Sequence, residues 1–345
     1  LEMLEGRLVP ALDISLSSSS FAQGLLGGES VGTLSVTGNT TQQKYSFIFA
    51  QGTGDTDNSR FQIRENMLEI APTPPFGNAF TAGATYSVLI QATGTTAGDI
   101  VLKSIQLTAK ADLLVNLAGD VTDPNDGKLS LREAFAIANA DPDHDRIVFD
   151  ATQVGPDVSL STVGATIEGP SALLVSAPVS VDGGQGHKRI SLATTAPEAR
   201  LFTVSPSGNL RLEKIDLLGG LARGVSGNPE GRGGAVLALG PFSLFSGSIV
   251  GAKAVGFAGG VQPGGAKGGA IYAESDIHLF QATISGNVAE GGSGTTSTGQ
   301  PITGPSAGGG IFVSSPAGNH LVILELSTIA DNSANTGAGM AVLPP

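Results

Sequence analysis

Gly233-Gly234-Ala235-Val236, Gly268-Gly269-Ala270-Ile271 and Gly308-Gly309-Gly310-Ile311 are one short step met three times, its starts 35 and 40 residues apart. A second step recurs with it. It reads Leu212-Glu213-Lys214-Ile215-Asp216-Leu217, then Ser243-Leu244-Phe245-Ser246-Gly247-Ser248-Ile249, then Leu279-Phe280-Gln281-Ala282-Thr283-Ile284, then Ile323-Leu324-Glu325-Leu326-Ser327-Thr328-Ile329. The last apolar residues of this step lie 32, 35 and 45 residues apart. Short apolar steps with Gly-rich inserts of unequal length describe a solenoid, in which each coil buries its apolar side chains only against its neighbours. Val236, Ile271 and Ile311 must then lie one above another. Each copy of the second step reads as a single strand.

Upstream of the repeats, from Asp120 to Ala140, one helix is expected, over about 130–140. Ser130 and Glu133 make a capping box, Leu131, Ala134, Phe135 and Ala138 share one face, and Asn139 and Pro142 end it. The end of a stacked solenoid exposes unpaired backbone groups and an open core. A helix laid across that end, with Leu131, Phe135 and Ala138 turned to the first coil, covers both.

Residues 11–112 read differently. Strand-like runs are Gly32–Val36, Tyr45–Phe49, Phe61–Ile63, Met67–Ile70, Tyr86–Ile90 and Ile100–Leu107, separated by Gly, Pro, Asn and Asp clusters. Regular short strands over about a hundred residues suggest a Greek-key sandwich.

Composition narrows the function. The chain has 345 residues, 50 of them Gly, and no Trp or Cys. The absence of Cys excludes disulfide scaffolds, thiolate metal sites and Cys nucleophiles. The net charge of -12 leaves no basic footprint for nucleic acid. No apolar run reaches transmembrane length. The first residue is Leu, which leaves room for an export signal upstream.

The stretch 113–345 resembles the parallel β-helix domains of bacterial surface and autotransporter-like proteins, in which a Ser-Leu-Arg-Glu-Ala helix, here Ser130 to Ala134, precedes the first coils. The stretch 11–112 resembles bacterial cadherin-like repeats. The matching residues are Leu16-Ser17, Val31-Gly32-Thr33-Leu34-Ser35, Tyr45-Ser46-Phe47, Gly54 to Ile63, Leu68 and Tyr86 to Thr93. Residues 1–10 carry Leu1-Glu2-x-Leu4-Glu5-x-Arg7, similar to an N-terminal motif of large exported bacterial proteins. Together these imply an all-β chain: a Greek-key cadherin-like sandwich, then a right-handed single-stranded parallel β-helix with a short N-terminal capping helix.

The cadherin resemblance implies calcium on Asp55, Asp57, Asn58 and Asp99. Other positions of that pattern are replaced, at Ala22-Gln23-Gly24, Ala71-Pro72-Thr73-Pro74-Pro75 and Gly94. A polar turn at Gly54–Asn58 is the alternative reading of the residues. Asp120, Asp123, Asn125 and Asp126 offer either calcium or turn chemistry, and the turn is favoured. Asp141, Asp143, His144 and Asp145 read as a solvated loop.

Asp182, Glu213, His187 and Arg189 are candidates for polysaccharide cleavage, which requires converging carboxylates. Spacing does not place them on one face. His144, His278 and His320 lack metal-ligand spacing, and His278 sits at an outward position of an alternating strand. Asn287 and Asn332 each follow an Ile by three residues and fit a backbone-bonding Asn ladder. Gly264 to Gly268 has phosphate-loop residues without the strand–helix context. Glu290–Ala307 is a contact loop or a flexible Gly/Ser/Thr-rich insert.

The expectation is a non-enzymatic extracellular surface or adhesion protein of a bacterium, secreted or membrane-attached. It would contact a cell-surface protein or glycan, without nucleic acid. A carbohydrate-active β-helix enzyme is the alternative. Gly337 to Val342 begins a further coil before Pro344-Pro345, so self-association through an open end, or further coils, is also expected.

Overall fold

The computed structural model describes residues 11–38, 43–72, 80–96, 99–166, 169–314 and 320–342. The Leu1–Arg7 motif, Thr73 to Pro75 and Pro344-Pro345 lie outside the described residues. The described chain is nearly all β and forms two compact units. The first runs to Asp112 and includes Pro142–Arg146; the second holds Leu113–Asp141 and everything from Ile147.

The first unit has two four-stranded sheets. In one, Ser30–Thr37 pairs antiparallel with Asp13–Leu16 and with Met67–Ile70. In the other, Thr85–Gly94 pairs antiparallel with Tyr45–Phe49 and with Ile100–Lys110. Inward residues of both sheets make one buried cluster, including Ile14, Leu34, Phe61, Leu68, Val88, Ile90 and Leu107. Period-2 alternation explains this: Tyr86, Val88, Ile90 and Ala92 point to one side of their strand, and all are buried. Two short strands, Asp13–Leu16 and Ser20–Ala22, escape the sequence reading, since three or four residues are too few to show a period.

The second unit is a stack of parallel ladders on three faces, a β-helix-like arrangement. On the first face lie Arg200–Val204, Val236–Ala238, Ile271–Ala273 and Ile311–Val313. On the second lie Asn209–Glu213, Phe242–Phe245, Ile277–Phe280 and Val322–Glu325. On the third lie Ile215–Leu218, Ser248–Val250, Thr283–Ser285 and Thr328–Ala330.

The central expectation holds. Val236 pairs with Ile271 and Ile271 with Ile311, and all three are fully buried. Leu217, Ile249, Ile284 and Ile329 stack likewise on the third face. Each such fully buried side chain contributes about 1.5–3 kcal/mol, against the entropy of ordering the chain.

The Gly-Gly steps have a geometric cause. Gly233, Gly268 and Gly308 adopt φ of 61°, 65° and 62°, the left-handed region that favours glycine. A Cβ on Gly268 would also sit 2.0 Å from the carbonyl oxygen of Ile271. On the next glycine, Gly269, it would sit 2.1 Å from the carbonyl oxygen of Gly309 in the following coil. The first glycine makes the turn and the second lets coils approach.

The second step is not one strand, as the sequence suggests, but two. Lys214, Ser246, Gln281 and Leu326 all have φ between 50° and 53° and turn the chain from the second face to the third. Each such non-glycine residue costs about 1–2 kcal/mol. The first three donate their N–H to the next coil, to Phe245, Phe280 and Glu325 carbonyls at 2.9 Å.

Leu131–Ala138 is the helix, with Ser130 as N-cap, a complete capping box and Asn139 as C-cap. Leu131, Ala134, Phe135 and Ala138 are its buried residues and join the same cluster as the coils. Phe135 meets the Phe202 ring at 5.7 Å. The coils also start earlier than the repeat reveals: Ser171–Val175, Pro178–Asp182 and Lys188–Leu192 already stack beneath the coil of residues 200–218.

The Gly-rich inserts are built as side ladders. Leu221–Arg223, Lys253–Val255 and Val288–Glu290 form one, and Gly231–Arg232, Ala266–Lys267 and Ser306–Ala307 another. Within Glu290–Ala307, Ser293–Thr295 pairs antiparallel with Pro301–Thr303.

Candidate functional site

The outward rows of the coils carry the chemistry, and register decides what stands next to what. On the second face one row reads Ser180, Arg211, Ser243, His278, Ile323, and the next Asp182, Glu213, Phe245, Phe280, Glu325. On the third face the outward row is Asp157, Arg189, Asp216, Ser248, Thr283, Thr328. Between the two faces runs the corner row Lys214, Ser246, Gln281.

Asp182 and Glu213 are therefore neighbours at the same register on adjacent strands. The Lys214 ammonium lies 3.8 Å from the first and 3.3 Å from the second. Arg211 adds a 3.6 Å contact to Glu213. This cluster neutralises itself.

His187 and Arg189 do not join it. Arg189 pairs with Asp157 at 2.6 Å, and His187 Nδ1 lies 3.6 Å from Asp216. Ser248 Oγ donates to the other Asp216 oxygen at 2.7 Å. A nucleophilic serine needs the imidazole beside its hydroxyl. Here the hydroxyl faces the carboxylate, so the three side chains do not form that relay.

One coil further along the stack the charges give way to rings. The Phe245 and Phe280 rings, both half-buried, lie 5.9 Å apart. The Arg211 guanidinium sits 3.7 Å from the Phe245 centroid, and the outward His278 ring meets Phe245 at 4.9 Å. Beside the rings a groove of about 360 Å³ is lined by His187, Asp216, Ser246, Gly247, Ser248, Gln281 and Thr283. That volume is at the lower end for small-ligand sites.

The expected calcium ligands do not converge. Asp55 Oδ2 accepts the Gly52 N–H at 3.0 Å, and Asp57 Oδ2 accepts the Ser87 N–H at 2.8 Å. Asn58 is bonded on both sides, to the Ala50 carbonyl and the Leu89 N–H. Asp99 bonds Gln43, and its carbonyl accepts the Gly94 N–H. Ser87 and Gly94 are near opposite ends of one strand, roughly 23 Å apart at about 3.3 Å per residue. Asp55 to Asn58 make the polar turn. Among the described residues, no group of three or more His, Asp or Glu is placed to hold a metal ion.

Asp123 and Asp126 are turn residues, accepting the N–H of Asn125 and Lys128. Asp120 does not serve as a turn residue. It takes two bonds from Arg132, at 2.7 and 2.8 Å, and the N–H groups of Ser161 and Thr162. Burial disfavours its charge, but Arg132 and those N–H groups outweigh burial and hold its carboxyl below the ordinary range.

The solvated-loop reading of Asp143, His144 and Asp145 is corrected. His144 and Asp145 are buried. Asp143 accepts from Ser18 and Ser20, and Lys110 lies 3.0 Å from both Asp143 and Asp145. His144 Nδ1 bonds the Ser30 carbonyl, and Arg146 pairs with Asp112 at 2.7 Å. Partners from 33 to 125 residues earlier in sequence make this invisible to local reading.

The Asn ladder is present. Asn287 is fully buried, bonds the Ile249 carbonyl and the Asn332 side chain, and accepts from the Ala252 N–H. Lys267 in the phosphate-loop mimic sits in a strand and pairs with Glu230 at 2.6 Å.

Sequence reading missed the corner row, although a signal exists. Leu212 and Ile215, or Leu279 and Ala282, are three residues apart where alternation demands two. That slip marks a turn and places Phe245, Phe280 and Gln281 on the outside. No family model, curated protein or solved structure matches the chain.

Proposed function

We propose that this chain is the binding part of an exported bacterial surface protein, and that it recognises a cell-surface glycan or protein without transforming it. The observation that carries the reading is the outward register of the coils. Parallel stacking fixes the interior and leaves repeating rows of side chains outside. The charged members of those rows are paired with one another, and the hydroxyl–carboxylate–imidazole order at Asp216 is not that of a nucleophile. Export rests on the resemblance of residues 1–10 and of both halves to exported proteins.

In the same proposal the coils are a right-handed parallel β-helix. Leu131–Ala138 closes its beginning, which its apolar buried face supports. The first unit is a cadherin-like sandwich, a reading that its two sheets around one core support. Its calcium candidate is the Asp55–Asn58 turn alone.

One observation favours the carbohydrate-active alternative: Asp182 and Glu213 stand side by side. The test is a panel of neutral and acidic polysaccharides. Saturable retention without new reducing or unsaturated ends is expected. Release of such ends, lost in Asp182→Asn or Glu213→Gln, overturns the binding reading.

A further inference from the structure

We infer that the groove at the corner between the second and third faces is a glycan site, and that its ligand is an uncharged, hydroxyl-rich chain lying along the stack. The inference rests on the surface-binding reading above and names its site and ligand class.

Three features support it. First, the outward row changes character along the stack, from Asp182 and Glu213 to Phe245 and Phe280. Two half-buried rings 5.9 Å apart make an apolar strip; the Arg211 guanidinium already stacks on Phe245 at 3.7 Å, which leaves Phe280 as the platform. A sugar has one apolar C–H face and a rim of hydroxyls, and matches a phenyl strip bordered by polar groups.

Second, the border is supplied. Ser246, Gln281, Ser248 and Thr283 bring hydroxyls and a side-chain amide to the groove, and Ser246 and Gln281 directly follow the two ring residues in the chain. These groups both donate and accept, as hydroxyl ligands require. The corner geometry fixes them: Ser246 and Gln281 sit at φ of 50° and 51°, with their backbone N–H bonded into the next coil. Neighbouring coils repeat at about 4.8 Å, so a polymer lying along the stack passes the rings at two successive coils, each followed in the chain by a polar corner residue.

Third, charge selects against acidic ligands. Asp216 lines the groove, its carboxylate engaged by Ser248 and His187. The nearby cations are occupied too, Lys214 and Arg211 by Asp182 and Glu213, and Arg189 by Asp157. The chain carries a net charge of -12. A polyanion meets repulsion with no uncommitted cation in the groove.

The test is titration calorimetry of the whole chain with neutral hexasaccharides of glucose and of mannose, and with hexagalacturonate as the charged control. At least one neutral hexamer is expected to bind saturably and hexagalacturonate not to bind. Phe280→Ala is expected to weaken binding about tenfold and Gln281→Ala about threefold. Both variants should keep the melting temperature, since neither side chain belongs to the interior. Phe280→Tyr keeps the ring and should retain binding, which separates loss of the platform from loss of fold. Tighter binding of hexagalacturonate, or no neutral hexamer bound, overturns the inference. So does neutral binding unchanged in both alanine variants, but that outcome leaves the surface-binding reading standing with its site elsewhere.

Discussion

The two units keep their side chains in place by different means. In the first, each strand pair is particular. Ser30–Thr37 bulges between Ser30 and Gly32 to meet its neighbour, and a segment from beyond residue 140 is tied in through Lys110. In the second, one register is used repeatedly, and what lies above a residue follows from counting. The difference decides legibility. A repeated interaction leaves a repeated sequence, whereas a single long-range one leaves no local trace.

The comparison breaks most sharply at the glycines. Gly268→Val puts a β-branched residue at φ 65° with a Cβ against a backbone carbonyl. It is expected to cost about 4 kcal/mol or more in urea unfolding of the second unit. Glycines of the first unit with open space at Cβ, such as Gly83, bear only the positive-φ cost on substitution to Ala, about 1–2 kcal/mol. Equal losses at Gly268 and Gly83 would remove the claim that the turn at Gly268 has no room for a Cβ.

Next comes the buried ladder. Asn287→Ala leaves the Ala252 N–H and the Ile249 carbonyl without their partner. About 2–3 kcal/mol is expected from the same unfolding curves. Asn332→Ala, less buried, should cost less.

Acid sharpens the contrast between the units. Asp120 in the second and Asp143 in the first both have lowered carboxyl pKa values. For Asp143 burial opposes its charge, and the Ser18 and Ser20 hydroxyls and Lys110 overcome it. A carboxyl lowered in the folded state stabilises above its unfolded value, and that stability is lost as pH falls through the folded value. Below about pH 4 both units should weaken, and Asp120→Asn and Asp143→Asn should each flatten one unit's acid limb. Lys110 works in the other direction. Burial lowers its pKa, but Asp143 and Asp145 raise it on balance. Its contribution is full below the ordinary lysine value and is lost as pH rises through the folded one. A pH–melting profile unchanged in Asp143→Asn would mean that the Lys110 cluster contributes nothing.

The smallest expected effect is calcium on the first unit. Asp55 and Asp57 already accept backbone N–H groups, so millimolar calcium should move its melting by less than about 1 °C. A saturable shift of several degrees, absent in Asp57→Asn, would restore a metal to that turn.

The Gly-Gly-Ala-Ile steps placed Val236, Ile271 and Ile311 correctly because turn chemistry and apolar position repeat together. Ser130 and Glu133 marked the helix start because a capping box is local. The corner residues were hidden by a one-residue slip inside an otherwise alternating run. Asp182 and Glu213 could not be joined from sequence, since their neighbourhood depends on the register of two strands 31 residues apart. His144 and Asp145 looked solvated because their partners are remote.

The stacking register itself is open to one direct test. The chain has no cysteine, so Ser243→Cys with His278→Cys introduces a lone pair on adjacent coils, at paired positions. Paired positions in a parallel ladder lie about 4.8 Å apart, within disulfide range. Phe245→Cys with His278→Cys is displaced by two residues, roughly 8 Å away, and is out of range. Rapid, near-complete oxidation of the first pair and little of the second is the predicted result. Equal oxidation of both, or oxidation of only the displaced pair, would contradict the stack.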